Sequence, residues 1–357
     1  MKRLAIISIL LLALPCWSAQ IIRYVDTAAT DVIPGTVNDG TDWTNAYQSL
    51  NEWEANEQTN LDTANNYMTV YLRASGGTAD VNACDIFGWT TSATDYIEII
   101  QDDTPTDGVF DATKYRIAAA GTMLYLRVDF IYLRGVQLHM VRTGTQQGRA
   151  IDCSGQNASA TVHIDSCIIK CESTTTGEQV GIWTGADAAS YIIYNTTVYG
   201  VQNGANANHY GVWAAVGICY VHNCTIYDCY RGVYDQIGWV SVIGSVIGDC
   251  VDDIWDGNYV YNNCTNDNDG TNPQIPLSQD WDNELADANN GDFHIVAGGN
   301  CIGNGVDDPY NLGVFSDDIR GVARTSTWDI GAYEVGDDPG GSGGVINEWW
   351  WRRRHSN

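Results

Sequence analysis

A hexapeptide pattern returns six times in the middle of the chain, and no other feature restricts the fold as much. The copies are LRGVQL, IDSCII, IYNTTV, VHNCTI, VIGSVI and YNNCTN, starting at Leu133, Ile164, Ile193, Val221, Val242 and Tyr261. Successive starts lie 31, 29, 28, 21 and 19 residues apart. A unit this short cannot bury an apolar face alone, but it can when stacked on its neighbours. Ahead of most copies stands a second short element: Gly181-Ile182-Trp183, Gly211-Val212-Trp213, Gly232-Val233-Tyr234 and Asp253-Ile254-Trp255. Each unit therefore holds at least two short strands, with the length variation confined to loops. Val, Ile, Tyr and Thr fill the strands, and Gly, Asn and Asp fill the gaps. The predicted fold is all-β, a single-stranded right-handed parallel β-helix whose coils run from about residue 70 to 335.

Stacking gives each position in the pattern a physical role, because parallel coils about 4.8 Å apart set every residue on its own equivalent. The sixth position is an aliphatic ladder, Leu138, Ile169, Val198, Ile226 and Ile247, broken only at Asn266. Asn195, Asn223 and Asn263 at the third position are read as a side-chain ladder bonding backbone groups that a bend leaves unpaired. Each also begins an Asn-x-Thr glycosylation sequon. Cys167, Cys224 and Cys264 share the fourth position and are read as buried thiols. Cys229 and Cys250 share another position, and one coil of separation makes them the candidate disulfide. Trp183, Trp213, Tyr234 and Trp255 form one aromatic column, the candidate ligand-binding face for sugar rings. An inward or loop-covered ladder is the competing reading.

The flanking segments supply context. Met1–Gln20 has a basic start, an apolar run from Leu4 to Leu14 and small residues at Ser18 and Ala19, the pattern of a secretory signal peptide over residues 1–19. Secretion or cell-surface display is therefore expected. Residues 20–69 are expected to hold an N-terminal strand and a capping helix at Asp42–Trp53. There Trp43, Ala46, Tyr47, Leu50 and Trp53 form one stripe, with Asp42 as N-cap. Such a helix would cover the first coil's open edge. The formal charge of −27, with only three lysines (Lys2, Lys114 and Lys170), excludes nucleic acid as a partner, since that binding needs Lys and Arg to displace counterions. A Gly-rich linker at 336–344 precedes a tail at 345–357 containing Trp349-Trp350-Trp351-Arg352-Arg353-Arg354.

Three stretches resemble one family. Asp39–Ala46 (DGTDWTNA) resembles the opening of many secreted β-helix proteins of the pectate-lyase-like superfamily, and Asp292-Phe293-His294-Ile295 with Gly298–Gly305 resembles their penultimate segment. The close, Asp318–Arg324 (DIRGVAR) and Asp329–Glu334 (DIGAYE), is similar to the terminal motif of the choice-of-anchor Q group. The resemblance spans about residues 24–335 and implies the fold and surface display. It also implies a tail that contacts sorting machinery or a membrane surface. Asp318 and Arg324 are expected to form a salt bridge closing the last coil.

The chemistry is less constrained. Lyases of the superfamily use Ca²⁺ and a basic residue against a uronate, and its hydrolases use clustered Asp residues. The matching candidates here are Arg231, Asp252 and Asp253, with a solvated acidic turn as the default account of Asp249–Asp256. Asp267 and Asp269, in Asp267-Asn268-Asp269-Gly270, form half of a calcium loop and are the candidate metal ligands, although an ordinary turn has the same composition. The leading functional reading is a non-catalytic, exported protein that binds an extracellular glycan or matrix, or serves an adhesive or structural role. The alternative is a polysaccharide lyase or glycoside hydrolase. A phage tailspike shares the fold but would not carry an export signal.

Overall fold

A computed structural model describes residues 18–30 and 38–335, except 106, 144, 146, 158–159, 174–176, 186–188, 202–207, 268–269, 271–272, 274–280, 307–316 and 325–327. The signal-peptide stretch, apart from Ser18 and Ala19, and the linker and Trp/Arg tail lie outside the described residues.

The chain is a parallel β-helix with three sheets of nine, seven and seven strands, plus a two-stranded antiparallel pair near the C-terminus. A typical coil runs through Thr161–Asp165 in the first sheet, Ile168–Ser173 in the second and Gln179–Thr184 in the third. The next strand, Ser190–Tyr194, returns to the first sheet one coil further on. The hexapeptides sit at the corner between first and second sheets, and their register is Leu133↔Ile164↔Ile193↔Val221↔Val242. The sixth-position ladder stacks as expected, from Leu138 through Ile247, and is fully buried.

The last copy slips by one residue. Val242 pairs with Val260 rather than Tyr261, so Asn262 and Asn263 take the third and fourth positions and Cys264 takes the fifth. With that correction the corner becomes uniform. The third position is left-handed in every copy: Gly135, Ser166, Asn195, Asn223, Gly244 and Asn262 have φ of 68°, 53°, 49°, 49°, 60° and 50°. Asparagine recurs there because it tolerates positive φ; Asn263, at the fourth position, does bond backbone groups at the bend as expected, accepting the Ser245 N–H and donating to the Val242 carbonyl. Asn195 and Asn262 instead reach outward to the carbonyls of Asp317 and Asn304. All three sequon asparagines are buried, which disfavours glycosylation.

The corner is held by the fourth position. Val136, Cys167, Thr196, Cys224, Ser245 and Asn263 all point inward and are buried. The Cys167 N–H donates to Thr196 Oγ1 (3.3 Å), the Cys224 N–H to Ser245 Oγ (3.1 Å), and the Ser245 N–H to Asn263 Oδ1 (2.8 Å). These three corners each satisfy a buried backbone donor with a side chain from the coil above.

The N-terminal cap differs from the expected helix. Asp42 accepts the N–H groups of Thr44 and Asn45, closing a turn that stops helix growth. The helix begins at Leu50 and runs to Glu57, with Ser49 as N-cap. Tyr47 forms an isolated parallel bridge to Val25, yet Ala46, Tyr47, Leu50 and Trp53 are buried as the stripe required, while Trp43 is half-buried beneath Arg73. The strand Ala19–Asp26 adds to the end of the first sheet by pairing with Asn66–Arg73.

The closing motif clamps the side of the stack, not its end. Asp318 pairs with Arg320 (2.7 Å), whereas buried Arg324 pairs with Glu334 (3.3 Å), so the expected Asp318–Arg324 bridge is not the pair that forms. Arg324 also donates to Asn195 Oδ1 and the Gly331 carbonyl. The Gly331 N–H reaches the Gly244 carbonyl, the Ala332 N–H reaches Thr225 Oγ1, and the Tyr333 hydroxyl reaches the Gly108 carbonyl. The segment therefore touches several coils along one outer edge. Its apolar residues form a second core with Tyr199, Tyr227, Val246 and Cys264 on the outer side of the second sheet.

Replacing Arg324 with Ala strands the buried Glu334 carboxylate, and urea unfolding should show a loss of about 3–5 kcal/mol. A pH effect should come from Glu54, which accepts the Trp89 indole N–H (2.7 Å) and the Phe87 N–H (3.1 Å). Burial raises its pKa from 4.5 to about 7. The folded state keeps this proton where the unfolded chain releases it, so the contribution is full below the unfolded value and lost as pH rises through the folded one. Unfolding measured from about pH 5 to pH 8 should show a smaller decline for Glu54→Gln than for the parent.

Candidate functional site

The third sheet presents the aromatic column outward. Trp183, Trp213, Tyr234 and Trp255 stack in register on successive strands. A bulge-like glycine step makes this possible. Gly181, Gly211 and Gly232 lie close to the neighbouring coil's backbone and to the second-sheet aliphatic ladder, where a Cβ would collide. The next two residues of each strand then alternate, with Ile182, Val212 and Val233 buried and the aromatic ring outside. Trp183, Trp213 and Tyr234 are half-buried against one another, and Trp255 is 43% exposed.

The rings are tilted rather than coplanar: Trp183–Trp213 centroids lie 6.3 Å apart at 56°, and Trp213–Tyr234 lie 5.9 Å apart at 52°. Tyr210 joins them, 4.7 Å from Trp213 and 5.1 Å from Tyr234. Two arginines brace the column. Arg231 Cζ lies 4.5 Å over Trp255 and 5.0 Å over Tyr234, and Arg149 Cζ lies 3.2 Å over Trp183. Arg149 also pairs with Asp152 (2.7 Å) and Glu178 (3.7 Å). Beside it opens a shallow cleft of about 410 Å³ lined by Tyr125, Arg149, Asp152 and Glu178, among others. Burial raises the Glu178 pKa despite the neighbouring Arg149 charge. Arg149 and this cleft were not singled out in the sequence because their strand, Gly148–Cys153, lacks the Gly-φ-aromatic step, and Tyr210 was passed over because it precedes Gly211 rather than following it.

Arg231, Asp252 and Asp253 do not converge as a triad. Arg231 and Asp252 are register partners on the outer face. Burial raises the Asp252 pKa, while Arg231 opposes the shift. Asp253 instead occupies the inward column of Gly181, Gly211 and Gly232, and is fully buried. Its carboxylate accepts the Asn266 N–H (2.6 Å), and its own N–H donates to Asp267 Oδ2 (3.1 Å). These two bonds finish the final coil, where among the described residues no further strand of the third sheet takes the backbone groups. Asp267, a candidate calcium ligand, is thus engaged in a cap, and Asp269 lies outside the described residues. The rest of the acidic run is dispersed: Asp249 and Asp256 are left-handed turn residues. Asp249 stacks near Asp228, whose pKa rises to about 6 through burial and then that neighbouring charge.

The Cys229 and Cys250 thiols do lie one coil apart in hydrogen-bonding contact, but both are free. The one-residue slip takes Cys264 out of the interior column and places it under the C-terminal segment. A second aromatic face also escaped the sequence reading. Tyr67, Tyr96, Tyr132 and His163 stack along the first sheet at 5.4, 4.9 and 4.3 Å, beside a Glu98–Arg134–Asp165 ion ladder. Tyr132 and His163 directly precede the hexapeptides at Leu133 and Ile164, one residue outside the repeat as it was aligned, while Tyr67 and Tyr96 lie in earlier coils without it.

No family model matches the chain, and no curated protein matches it in sequence. Among solved structures, the crystal structure of pectate lyase Pel9A is similar over 89% of this chain and 96% of that one. The identity is 13% and the TM-score 0.35. The fold assignment accordingly stands on the strand register described above.

Substituting Asp253 with Ala should cost about 1–3 kcal/mol in urea unfolding, because it orphans a buried N–H. Asp252→Ala, on the outer face, should stay within about 0.5 kcal/mol of the parent.

Proposed function

We propose that the protein is an exported, non-catalytic β-helix that binds an extracellular glycan along the outer face of its third sheet. The observation carrying this reading is the outward, in-register column of Trp183, Trp213, Tyr234 and Trp255, flanked by Tyr210. Aromatic rings repeated at each coil offer apolar faces for successive sugar rings, with polar groups at their edges. Arg149 is matched by Asp152 and Glu178, and Arg231 stands beside Asp252, so three carboxylates face two guanidiniums, which favours a neutral glycan over a uronate. The separation of Asp253 from Arg231 and Asp252 weighs against the lyase or hydrolase alternative. Export and surface display rest on the signal-peptide pattern and on the closing segment's likeness to choice-of-anchor Q proteins of the pectate-lyase-like superfamily.

A glycan panel with a product assay tests the proposal. Binding to a neutral glycan should weaken at least about tenfold in Trp213→Ala and in Trp255→Ala, with the fold unchanged by circular dichroism. Affinity that survives both substitutions overturns the platform. Unsaturated or new reducing-end product that persists in purified protein establishes the enzymatic alternative instead.

A further inference from the structure

Besides the Arg324–Glu334 pair, the outer core between the second sheet and the C-terminal segment holds a second buried polar group of residues. Cys264 in the last coil, Glu284 just after the Trp281–Asn283 turn, and Cys301 are each completely buried. Their donor atoms, two Sγ and a carboxylate oxygen, all lie within 4.8 Å of one another. We propose that this cluster is a structural site for a thiophilic divalent cation, zinc being the fitting ion, which fastens the C-terminal segment to the final coil.

The donor set is what such an ion requires. Zinc takes thiolate sulfur at about 2.3 Å and carboxylate oxygen at about 2.0–2.2 Å, in tetrahedral geometry. Those bond lengths put ligand atoms somewhat under 4 Å apart, so the observed cluster needs to contract by no more than about 1 Å. Binding releases the two thiol protons to solvent, and the resulting thiolates and carboxylate hold the cation in a dry surround.

The scaffold already orients the carboxylate. Glu284 Oε2 accepts the Cys301 N–H (3.1 Å), and a side chain at Gly299 would occupy the space that this oxygen fills. The backbone around the donors is equally fixed: the Glu284 N–H donates to the Trp281 carbonyl, the Val296 N–H to the Glu284 carbonyl, and the Ile330 N–H to the Cys301 carbonyl. Support of this kind behind a ligand sets its geometry and raises metal affinity. A disulfide between Cys264 and Cys301 is the competing use of the two thiols. A disulfide leaves Glu284 in its role of accepting the Cys301 N–H and uses two of the three donors, whereas the cation uses all three. No fourth His, Cys, Asp or Glu joins the group among the described residues, so a water or a carbonyl would complete the tetrahedron.

Cobalt(II) is a visible probe for the site. The full-length chain, reduced with a phosphine and stripped with a chelator, should take up one equivalent of Co²⁺. The expected signal is a thiolate-to-cobalt charge-transfer band and tetrahedral ligand-field bands, all displaced by Zn²⁺, and zinc should raise the melting temperature. Cys264→Ser and Cys301→Ser should abolish the bands, and Glu284→Gln should weaken binding at least about tenfold. A Cys229→Ser/Cys250→Ser variant keeps the proposed site intact, so its bands should match the parent's. Folded, fully reduced protein that takes up no cobalt overturns the proposal. So does a Cys264–Cys301 disulfide found by peptide mapping in the protein as purified, or a band that vanishes with Cys229 and Cys250. None of these outcomes bears on glycan binding, which is read on a different face.

Discussion

Everything in this fold depends on how a coil turns its corner without leaving a buried backbone N–H unpaired. Along the strands, parallel pairing takes care of the backbone. At the bend between first and second sheets the ladder breaks, and a left-handed residue followed by an inward polar side chain repairs it. Thr196, Ser245 and Asn263 each accept an N–H from the coil below. A buried donor without a partner costs about 1–3 kcal/mol, so a corner repeated at every coil would otherwise exact a heavy cumulative penalty.

Much of this was legible in the sequence, because a solenoid writes its register as a repeat. The aliphatic ladder and the alignment of Trp183, Trp213, Tyr234 and Trp255 follow from spacing alone. The functions of individual polar residues do not. Asparagine at Asn195 and Asn223 signals a backbone angle rather than a side-chain ladder, and the two demands select the same residue type. The final copy misled for a related reason. YNNCTN offers two adjacent asparagines, and pattern matching chose Asn263 for the bend where the backbone uses Asn262. One residue of slip moved Cys264 from the interior to the outer side. The helix was displaced likewise, since Asp42 caps a turn as readily as it caps a helix.

The candidate surface shows the same division. Sequence could place the aromatic rings in one column, whereas their outward direction depended on the glycine step that brings the third sheet against the second. Arg149 and Tyr210 entered only through three-dimensional contact. The acidic run from Asp249 to Asp256 looked like one cluster and became four separate duties: two turn residues, one outer-face partner of Arg231 and one end cap. Proximity in sequence is a poor guide to convergence where successive side chains face opposite ways.

The closing segment bonds Asn195, Thr225 and Gly244, which lie on three consecutive coils. A solenoid whose stability is otherwise summed from neighbour to neighbour thereby gains a strap that skips coils. Fraying of one of these coils along the outer edge pulls on bonds shared with the other two, so opening there is a joint event of three coils rather than of one.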